Sequence, residues 1–391
     1  MKKLEKSVPV IRFKGFSEAW EQRKFIEIIN RLSKTSNSSI LPKVEYEDII
    51  AEEGRLNKDI SNKFDSRKGI LFQPKNILYG KLRPYLKNWL YPDFKGVAVG
   101  DFWVFEAIEA TPRFIYNLIQ SDSYQKVAND TAGTKMPRSD WTKVSNSSFF
   151  IPKESSEQKR IGTFFKQLDD TIALHQRKLD TLKQMKKGLL QQMFPKSEED
   201  VPKIRFADFD EEWYQRKLGE EFEKINERND GSFGKTHWIS VAKMYFVEPN
   251  KVLSNNIDTR TYVMRKGDIA FEGHSNTDFK FGRFVANDIG PGIVSELFPV
   301  YRHKTNYDNN YWKNTIQLEH IMAPIYSKSI TSSGNSSNKL DSKHFLNQKI
   351  YIADFEEQEK IGSIFKQLDN TIILYQNKLN KFDILKKAYL Q

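Results

Sequence analysis

The chain of 391 residues contains no cysteine and only six histidines. Without cysteine it can form neither a disulfide scaffold nor a thiolate metal site, and it fits a reducing compartment. The histidines are scattered without metal-ligand spacing, and the HExxH motif of zinc proteases is absent. The sequence therefore predicts no metal centre.

Long apolar runs are missing as well. No stretch of eighteen apolar residues occurs, and the chain starts with Lys2, Lys3 and Glu5 where a signal segment would be apolar. An apolar fraction of 38% is still enough to build cores for two or three domains. We therefore expect a folded, cytoplasmic protein.

The sequence also lacks catalytic signatures. An Asn or Asp followed by two prolines and an aromatic residue, which marks adenine methylation, does not occur, and no GxGxxG opens a helix. Pro92-Asp93 lacks the downstream Glu-x-Lys of a metal-dependent nuclease. In the segment 231–236 only two residues separate the glycines, where a phosphate loop needs four. We expect a non-catalytic chain without a cofactor of its own.

What is present is positive charge, which is unevenly distributed. The net charge of +11 suggests a polyanionic partner. It divides into +7 for residues 1–156, +4 for 157–195, −2 for 196–356 and +2 for 357–391. If the second half binds nucleic acid, it must do so through local clusters of cations.

One long stretch of sequence occurs twice. EQKRIGTFFKQLDDTIALHQRKLDTLKQMKKGLLQ begins at Glu157, and EQEKIGSIFKQLDNTIILYQNKLNKFDILKKAYLQ begins at Glu357. A spacing of two hundred residues is too long for a solenoid repeat, so it indicates a duplicated half-protein. Apolar residues recur at heptad spacing in both copies, which predicts two long helices with matching seams. The seam residues predicted to pack in a coiled coil or against a partner are Ile161, Phe165, Leu168, Ile172, Leu179, Ile361, Phe365, Leu368, Ile372 and Leu379.

Capping signals frame these helices. Ser155 with Gln158 fits a capping box, as does Asp354 with Glu357, and Pro195 ends the first helix. About 35 residues give a rod of about 50 Å. We expect the two rods to pair as an intramolecular antiparallel coiled coil that acts as a spacer; the alternative is that each packs along its own domain.

A shorter repeat precedes each half. VPVIRFKGFSEAWEQRK from Val8 returns as VPKIRFADFDEEWYQRK from Val201, and its aromatic residues are predicted to anchor it to the adjoining body. The intervening inserts, 25–153 and 218–353, resemble each other only weakly. Their short runs, such as those at 76–79 and 268–271, predict mixed α/β bodies, with one helix over 113–127 capped by Thr111.

Two kinds of loop are candidates for DNA contact. The turn GKLRPYL follows a predicted strand, and GH with KFGR occupies the comparable place in the second insert. The loops GTKMPRSD and GNSSNKLD run from Gly133 to Asp140 and from Gly334 to Asp341. Their cations and polar groups suit either base edges or phosphates, and the residues alone do not decide between the two. The predicted DNA-binding residues are Lys81, Arg83, Tyr85, Lys135, Arg138, His274, Lys280, Arg283 and Lys339.

Taken together, these motifs resemble the specificity subunit of Type I restriction-modification systems. The resemblance is carried by IPKESSEQKRIGTFFKQLDDTI with its copy ADFEEQEKIGSIFKQLDNTI, by VPxIRFxxF before a Trp, and by ILYGKLRPYL with a following GDFWVF. It implies an α+β fold with pseudo-two-fold symmetry, in which two target-recognition domains (1–153 and 196–353) are separated by paired conserved helices (154–195 and 354–391). Because no residues follow the second helix after Gln391, we expect its last turn to be frayed or shortened.

The resemblance also implies partners. Each domain would read one half of a bipartite site on double-stranded DNA. Two methyltransferase subunits would methylate adenine N6 with S-adenosylmethionine, and two restriction/translocase subunits would use ATP and Mg. These cofactors would be bound by the partner subunits and not by this chain. The rival hypotheses are a coiled-coil adaptor that presents two protein-binding domains, and a stand-alone nuclease.

Overall fold

A computed structural model describes residues 9–131, 135–196, 199–253, 257, 260–333 and 337–391. Lys2, Lys3, Glu5, Val8, Gly133 and Gly334 lie outside these residues. The chain divides into two compact units, Met1–Arg177 with Asn377–Gln391, and Lys178–Gln376. The boundary falls within both long helices.

The first unit is a mixed α+β body. Its helices are α1 (Phe25–Ile28), α2 (Pro112–Leu118), α3 (Asp122–Ala128), α4 (Trp141–Asn146) and the start of α5 (Ser155–Gln192). Its strands are β1 (Glu21–Lys24), β2 (Ile29–Leu32), β3 (Thr35–Ser36), β4 (Lys43–Val44), β5 (Ile49–Ile50), β6 (Arg55–Leu56), β7 (Gly69–Phe72), β8 (Ile77–Gly80), β9 (Trp89–Leu90), β10 (Gly96–Ala98), β11 (Phe102–Ala107) and β12 (Ser148–Ile151).

The sheet that matters for the site has the order β2-β11-β8-β9 and is antiparallel. Strand β8 is buried along its whole length, as the apolar run at 76–79 predicts. Ile77 and Tyr79 belong to one apolar cluster and Leu78 to another, so both faces of the strand are covered. The other sheets have the orders β3-β7-β10-β4, β1-β12 and β5-β6.

The second unit has its own set of elements. Its helices are α6 (Leu218–Glu221), α7 (Asn309–Thr315), α8 (Glu319–Ser329), α9 (Ser342–Leu346) and the start of α10 (Phe355–Leu390). Its strands are β13 (Tyr214–Lys217), β14 (Phe222–Ile225), β15 (Ile239–Ser240), β16 (Tyr245–Phe246), β17 (Thr261–Met264), β18 (Ile269–Glu272), β19 (Arg283–Ala286), β20 (Gly292–Ser295), β21 (Val300–His303), β22 (Ile330–Ser333), β23 (Asn338–Leu340) and β24 (Lys349–Ile352).

The scaffold of the second unit repeats that of the first. Its main sheet has the order β14-β21-β18-β19, and β13 pairs with β24 as β1 pairs with β12. Strand β18 takes the place of β8, with Ile269 and Phe271 in one apolar cluster and Ala270 in another. The predicted strands at 76–79 and 268–271 are confirmed.

Both predicted long helices are present, and their apolar seams are buried or half-buried. In the first unit, Phe164 lies 5.2 Å from Tyr389 between ring centroids, and His175 lies 5.3 Å from Phe382. Lys386 Nζ is 2.8 Å from Asp169 Oδ1 in the same unit. In the second unit, Lys186 Nζ is 2.6 Å from Asp369 Oδ1. Within each unit, therefore, part of one helix packs on part of the other.

A buried glutamate at the start of each long helix holds the leading segment. Arg12 donates to both oxygens of Glu157 at 2.6 and 2.7 Å, and Trp20 Nε1 donates to it at 3.4 Å. Arg205 donates to Glu357 at 2.8 Å twice, and Trp213 Nε1 donates at 3.0 Å. The leading segments are therefore anchored to the helices, partly through the predicted tryptophans.

Three local predictions need correction. The helix predicted over 113–127 is two helices, because Ser121 interrupts it by accepting a hydrogen bond from Tyr124 N, as an N-cap, while its hydroxyl donates to Leu118 O. Thr111 sits at the N-cap of α2 without a side-chain capping bond. At α5, Gln158 does not form the predicted box with Ser155, since its side chain bonds Thr111 N and Pro152 O.

Only one of the two hydrogen bonds of the capping box predicted for α10 is present. Asp354 accepts from Glu357 N at 2.7 Å, which is a true N-cap. The Glu357 side chain does not return to Asp354, because Arg205 and Trp213 hold it.

Candidate nucleic-acid interface

The first candidate turn leaves the sheet at the end of β8. Lys81, Leu82 and Arg83 follow Gly80, and residues 84–86 form a 3-10 turn. Arg83 and Lys87 bracket this turn with positive φ values of 50° and 54°. A left-handed backbone at two bulky residues stores strain, which proteins retain mainly where function requires the shape. The turn presents Arg83 and Tyr85 to solvent.

This turn is joined to the loop before α4. Leu82 forms a β-bridge with Arg138, Arg83 N donates to Pro137 O at 2.7 Å, and Ser139 N donates to Lys81 O at 2.9 Å. Two segments more than fifty residues apart in sequence therefore form one surface. Lys81, Arg83, Tyr85 and Arg138 lie on or beside it, and exposed Lys135 lies two residues before Pro137.

A carboxylate organises the cations of this surface. Asp101 Oδ2 accepts from Arg138 at 3.0 Å, and its Oδ1 lies 3.6 Å from Lys81 Nζ. Burial alone would raise the pKa of Asp101, but Arg138 and Lys81 outweigh it and hold the pKa below its usual range. The hydrogen bond with Asp101 raises the pKa of Arg138, which stays charged. In the described part of the chain, no side chain bonds the Arg83 guanidinium.

The second unit joins the corresponding segments. Asn338 N donates to Gly273 O at 2.9 Å, which brings the end of β18 against β23, just before α9. A Cβ on Gly273 would lie 2.2 Å from Asn338 O, so this close approach requires glycine. His274 and Lys339 are exposed on either side of the contact.

The side chains of this second surface differ from those of the first. His274 Nδ1 lies 2.5 Å from Oε1 of buried Glu272; because a carboxylate only accepts, Nδ1 carries the proton. Lys280 is exposed, with Nζ 5.5 Å from the Phe281 ring.

Arg283 has a different environment from the other predicted contacts. It is half-buried, donates to Ala242 O at 2.6 Å and stacks 4.8 Å from the Phe279 ring. These contacts engage its guanidinium within the unit. The DNA-binding role of all nine predicted residues remains a prediction.

Sequence reasoning missed the two carboxylates, Asp101 and Glu272. It also missed the helices α4 and α9, which Asp140 and Asp341 cap. Asp101 could have been noticed, because it immediately precedes an aromatic strand, FWVF, in a chain whose partner is expected to be anionic. Glu272 ends a buried strand, where an isolated acid needs a partner.

Other kinds of site are not found among the residues that the structure describes. No three His, Asp or Glu side chains there are grouped to hold a metal ion. Nor does that part contain a helix with the length and apolar character needed to cross a membrane.

The sequence and the fold are similar to known proteins of one kind. Residues 17–184 match the family model of the Type I restriction modification DNA specificity domain. The fold is similar to the Type I restriction-modification system S subunit from M. genitalium, with a TM-score of 0.59, 13% identity, and coverage of 98% of this chain and 97% of that one. It is also similar to a chain solved in work on complex assembly and conformational transition of the type I R-M system (TM-score 0.54, 17% identity, 98% of each chain covered). No curated protein sequence matches this chain.

The family model covers both the turn after β8 and the loop before α4, together with most of α5. The fold similarity extends over nearly the whole length, including the second unit. A non-enzymatic adaptor is accordingly not favoured. Residues 17–184 thus match the Type I restriction modification DNA specificity domain, and the fold of the chain is similar to that of a solved Type I S subunit over nearly its whole length.

Proposed function

We propose that the two units read separate halves of one bipartite DNA sequence. The observation that carries this is the duplicated surface, in which the segment following the central strand is bonded to the segment preceding a short helix. Each copy exposes cationic or polar side chains, with Lys81, Arg83 and Arg138 in the first and His274 and Lys339 in the second. Arg and Lys suit guanine O6 and N7 in the major groove, and all of these groups can hold phosphates. Different side chains on one scaffold would give two different half-sites.

The chemistry would belong to partner subunits. In this proposal, two methyltransferase subunits bind S-adenosylmethionine and methylate adenine N6, and two restriction/translocase subunits bind ATP and Mg. This chain would be non-catalytic, would act in the cytoplasm and would bind none of these cofactors. The proposal is supported by the family match and by the similarity to a chain solved in work on assembly of the type I R-M system.

The two long helices would form an antiparallel coiled coil that sets the distance between the half-sites. Supporting this, the ion pair Asp169–Lys386 recurs as Lys186–Asp369, with each residue shifted by two hundred positions, as pseudo-two-fold pairing requires. A helix of 38 residues is about 57 Å long, which corresponds to about 17 base pairs of B-DNA.

The spacer role is tested by deleting one heptad from each helix, residues 174–180 and 374–380, in cells that also make the partner methyltransferase. The seam resumes in phase after both deletions, so both half-sites should persist while the gap shortens by about three base pairs. Single-molecule sequencing of methylated adenines reads both at once. Altered half-sites with an unchanged gap would overturn the spacer.

DNA binding itself is tested by its salt dependence. Phosphate contacts release counterions, so binding to duplex DNA that carries the methylated site should weaken steeply with salt. A duplex with both half-sites scrambled serves as the control. Affinity that is insensitive to salt and sequence would contradict the recognition role and restore the adaptor hypothesis.

A further inference from the structure

Three consecutive backbone amides hold the turn that follows β8. The amides of Lys81 and Arg83 donate to backbone carbonyl groups at 2.9 and 2.7 Å. The amide between them, Leu82 N, donates to the side-chain hydroxyl of Tyr46 at 3.1 Å. Because the other two acceptors belong to the backbone, the tyrosine hydroxyl is the one of these three acceptors that a substitution can remove.

The same hydroxyl bonds the segment that carries the carboxylate of this surface. Tyr46 Oη donates to Asp101 O at 2.6 Å, and the Asp101 side chain pairs with Arg138 and Lys81. Burial raises the pKa of Tyr46, so its hydroxyl keeps the proton that it donates. One oxygen atom therefore supports both the backbone of the turn and the residue that orders its cations.

The Tyr46 ring is itself held in place. It packs edge-on against Phe102, with 4.7 Å between the ring centroids. Its segment, a 3-10 turn at 46–48, ends at Asp48, whose fully buried carboxylate lies 2.7 Å from Lys63 Nζ. Contact residues keep their geometry when the groups behind them are fixed in this way. The hydroxyl is therefore a rigid support for the turn.

The turn needs such a support because its backbone is strained. Arg83 and Lys87 have φ values of 50° and 54°. Side-chain-bearing residues in this region persist only where the surrounding structure over-determines them. Leu82 immediately precedes Arg83, so the bond from Tyr46 acts beside a strained residue. Loss of that bond would free the turn to relax, and the exposed Arg83 side chain would no longer be held in one position.

The corresponding position of the second unit carries a threonine that bonds elsewhere. Four residues separate the strands of the hairpin β15–β16, as in β5–β6, and Thr236 precedes β15 by three residues as Tyr46 precedes β5. Thr236 is exposed, and its Oγ1 lies 3.1 Å from Nδ1 of the neighbouring His237. In that unit the backbone bond to Gly273 O joins the two segments. Support by a tyrosine hydroxyl therefore distinguishes the first unit.

We infer that Tyr46 is a positioning residue for the reading of the first half-site, because its hydroxyl fixes the turn 81–87 and Asp101 in one relative arrangement. It acts through Arg83 and Arg138, whose relative position it sets, and not by touching DNA itself. The inference rests on the proposed function and deepens it, since it assigns the specificity of one half-site to a residue outside the contact surface.

The test removes one oxygen atom with Tyr46→Phe, which keeps the ring against Phe102. In cells that also make the partner methyltransferase, sites with one wrong base in the first half should be methylated about tenfold more, the size expected when two hydrogen bonds are lost. Discrimination at the second half-site should not change. In the purified chain, hydrogen exchange of the peptide spanning 81–87 should be about tenfold faster.

Two substitutions serve as controls. Tyr124→Phe removes a buried hydroxyl that has no hydrogen-bond partner among the described residues, and Thr236→Ala changes the corresponding position of the second unit. Neither should alter either half-site. Unchanged exchange for Tyr46→Phe would overturn the inference, as would faster exchange with unchanged discrimination or equal losses at both half-sites. An unsubstituted chain that discriminates at neither half-site would instead refute the proposed function, and the inference with it.

Discussion

The two units share a scaffold and differ in the side chains placed on it. Both have a central strand buried on both faces and a backbone contact between the same two loops. In the first unit Asp101 lies among Lys81 and Arg138, whereas in the second Glu272 holds His274. Duplication has thus kept the groups that build the fold and exchanged the groups at its surface, as the proposed reading of two different half-sites requires.

The charge difference between the halves has a structural counterpart. Buried Asp268 in the second unit accepts from Arg302 at 2.8 Å twice, and Glu227 accepts from Arg302 and Arg265. Some of the acidic side chains of that half are therefore paired inside the unit with arginines of the same half. Lys280 and Lys339 are both exposed in that half despite its negative net charge.

The largest difference in stability between the units should come from the two glutamate clamps, which are Glu157 with Arg12 and Trp20, and Glu357 with Arg205 and Trp213. Replacing Glu357 with alanine leaves the nearly buried Arg205 without its anion and Trp213 Nε1 without an acceptor, so we expect a loss of about 3–5 kcal/mol in the free energy of unfolding. Glu157→Ala should cost less, because Trp20 is half-buried and its hydrogen bond is longer. Denaturant unfolding measures both, with exposed Glu356→Ala as the control. Equal losses would mean that the two clamps are energetically equivalent.

The recognition surfaces should separate the units by target. Arg138→Ala should relax or weaken the first half-site alone, and His274→Ala the second alone, each by about 1–3 kcal/mol if the side chain reads a base. Methylated-adenine sequencing shows which half changes. Lys159→Ala, an exposed cation on α5, is the matched control and should leave both intact. A change in both halves from either substitution would contradict separate reading.

The sequence alone could predict the elements in which apolar residues recur at a regular spacing or form a short run. Seam residues such as Phe165 and Leu379 recur every three or four positions, and the long helices appear where that period runs. The buried strands β8 and β18 were visible as short apolar runs bounded by polar residues.

Contacts between distant segments could not be predicted in this way. Arg138 meets Asp101 and Leu82 only because the adjacent ends of β11 and β8 and a distant loop converge, and no local pattern encodes that. The break at Ser121 depends on a serine that caps a second helix in place of continuing the first, a choice that propensity alone leaves open.

Acid should destabilise the second unit more than the first, because the second unit has a buried histidine where the first has an alanine. His303 pairs with Phe222 in the strand register, where the first unit has Ala107 opposite Ile29. Burial among aromatic rings lowers the pKa of His303 to about 3 from 6.5.

The sign of this effect follows from proton binding. Below about pH 6.5 the unfolded histidine binds a proton that the folded one does not. The contribution of neutral His303 to the free energy of unfolding is therefore intact above that pH and falls by up to about 1.4 kcal/mol per pH unit towards pH 3. The measurement is the free energy of unfolding between pH 7 and pH 5. His303→Phe should flatten this profile, and an unchanged slope would show that other groups set it.

The interhelical ion pairs should give the smallest difference, and they test the pseudo-symmetry directly. Lys386 and Asp169 are 13% and 24% exposed, against 24% and 32% for Lys186 and Asp369. Because screening by solvent weakens exposed pairs, Asp169→Asn should cost about 1 kcal/mol and Asp369→Asn about 0.5 kcal/mol. Exchanging the charges, with Lys186→Asp combined with Asp369→Lys, should restore most of the smaller loss, because the two side chains still meet. If the exchanged pair is no more stable than Lys186→Asp alone, the contact does not stabilise the helices, and their pairing must rest on the apolar seam.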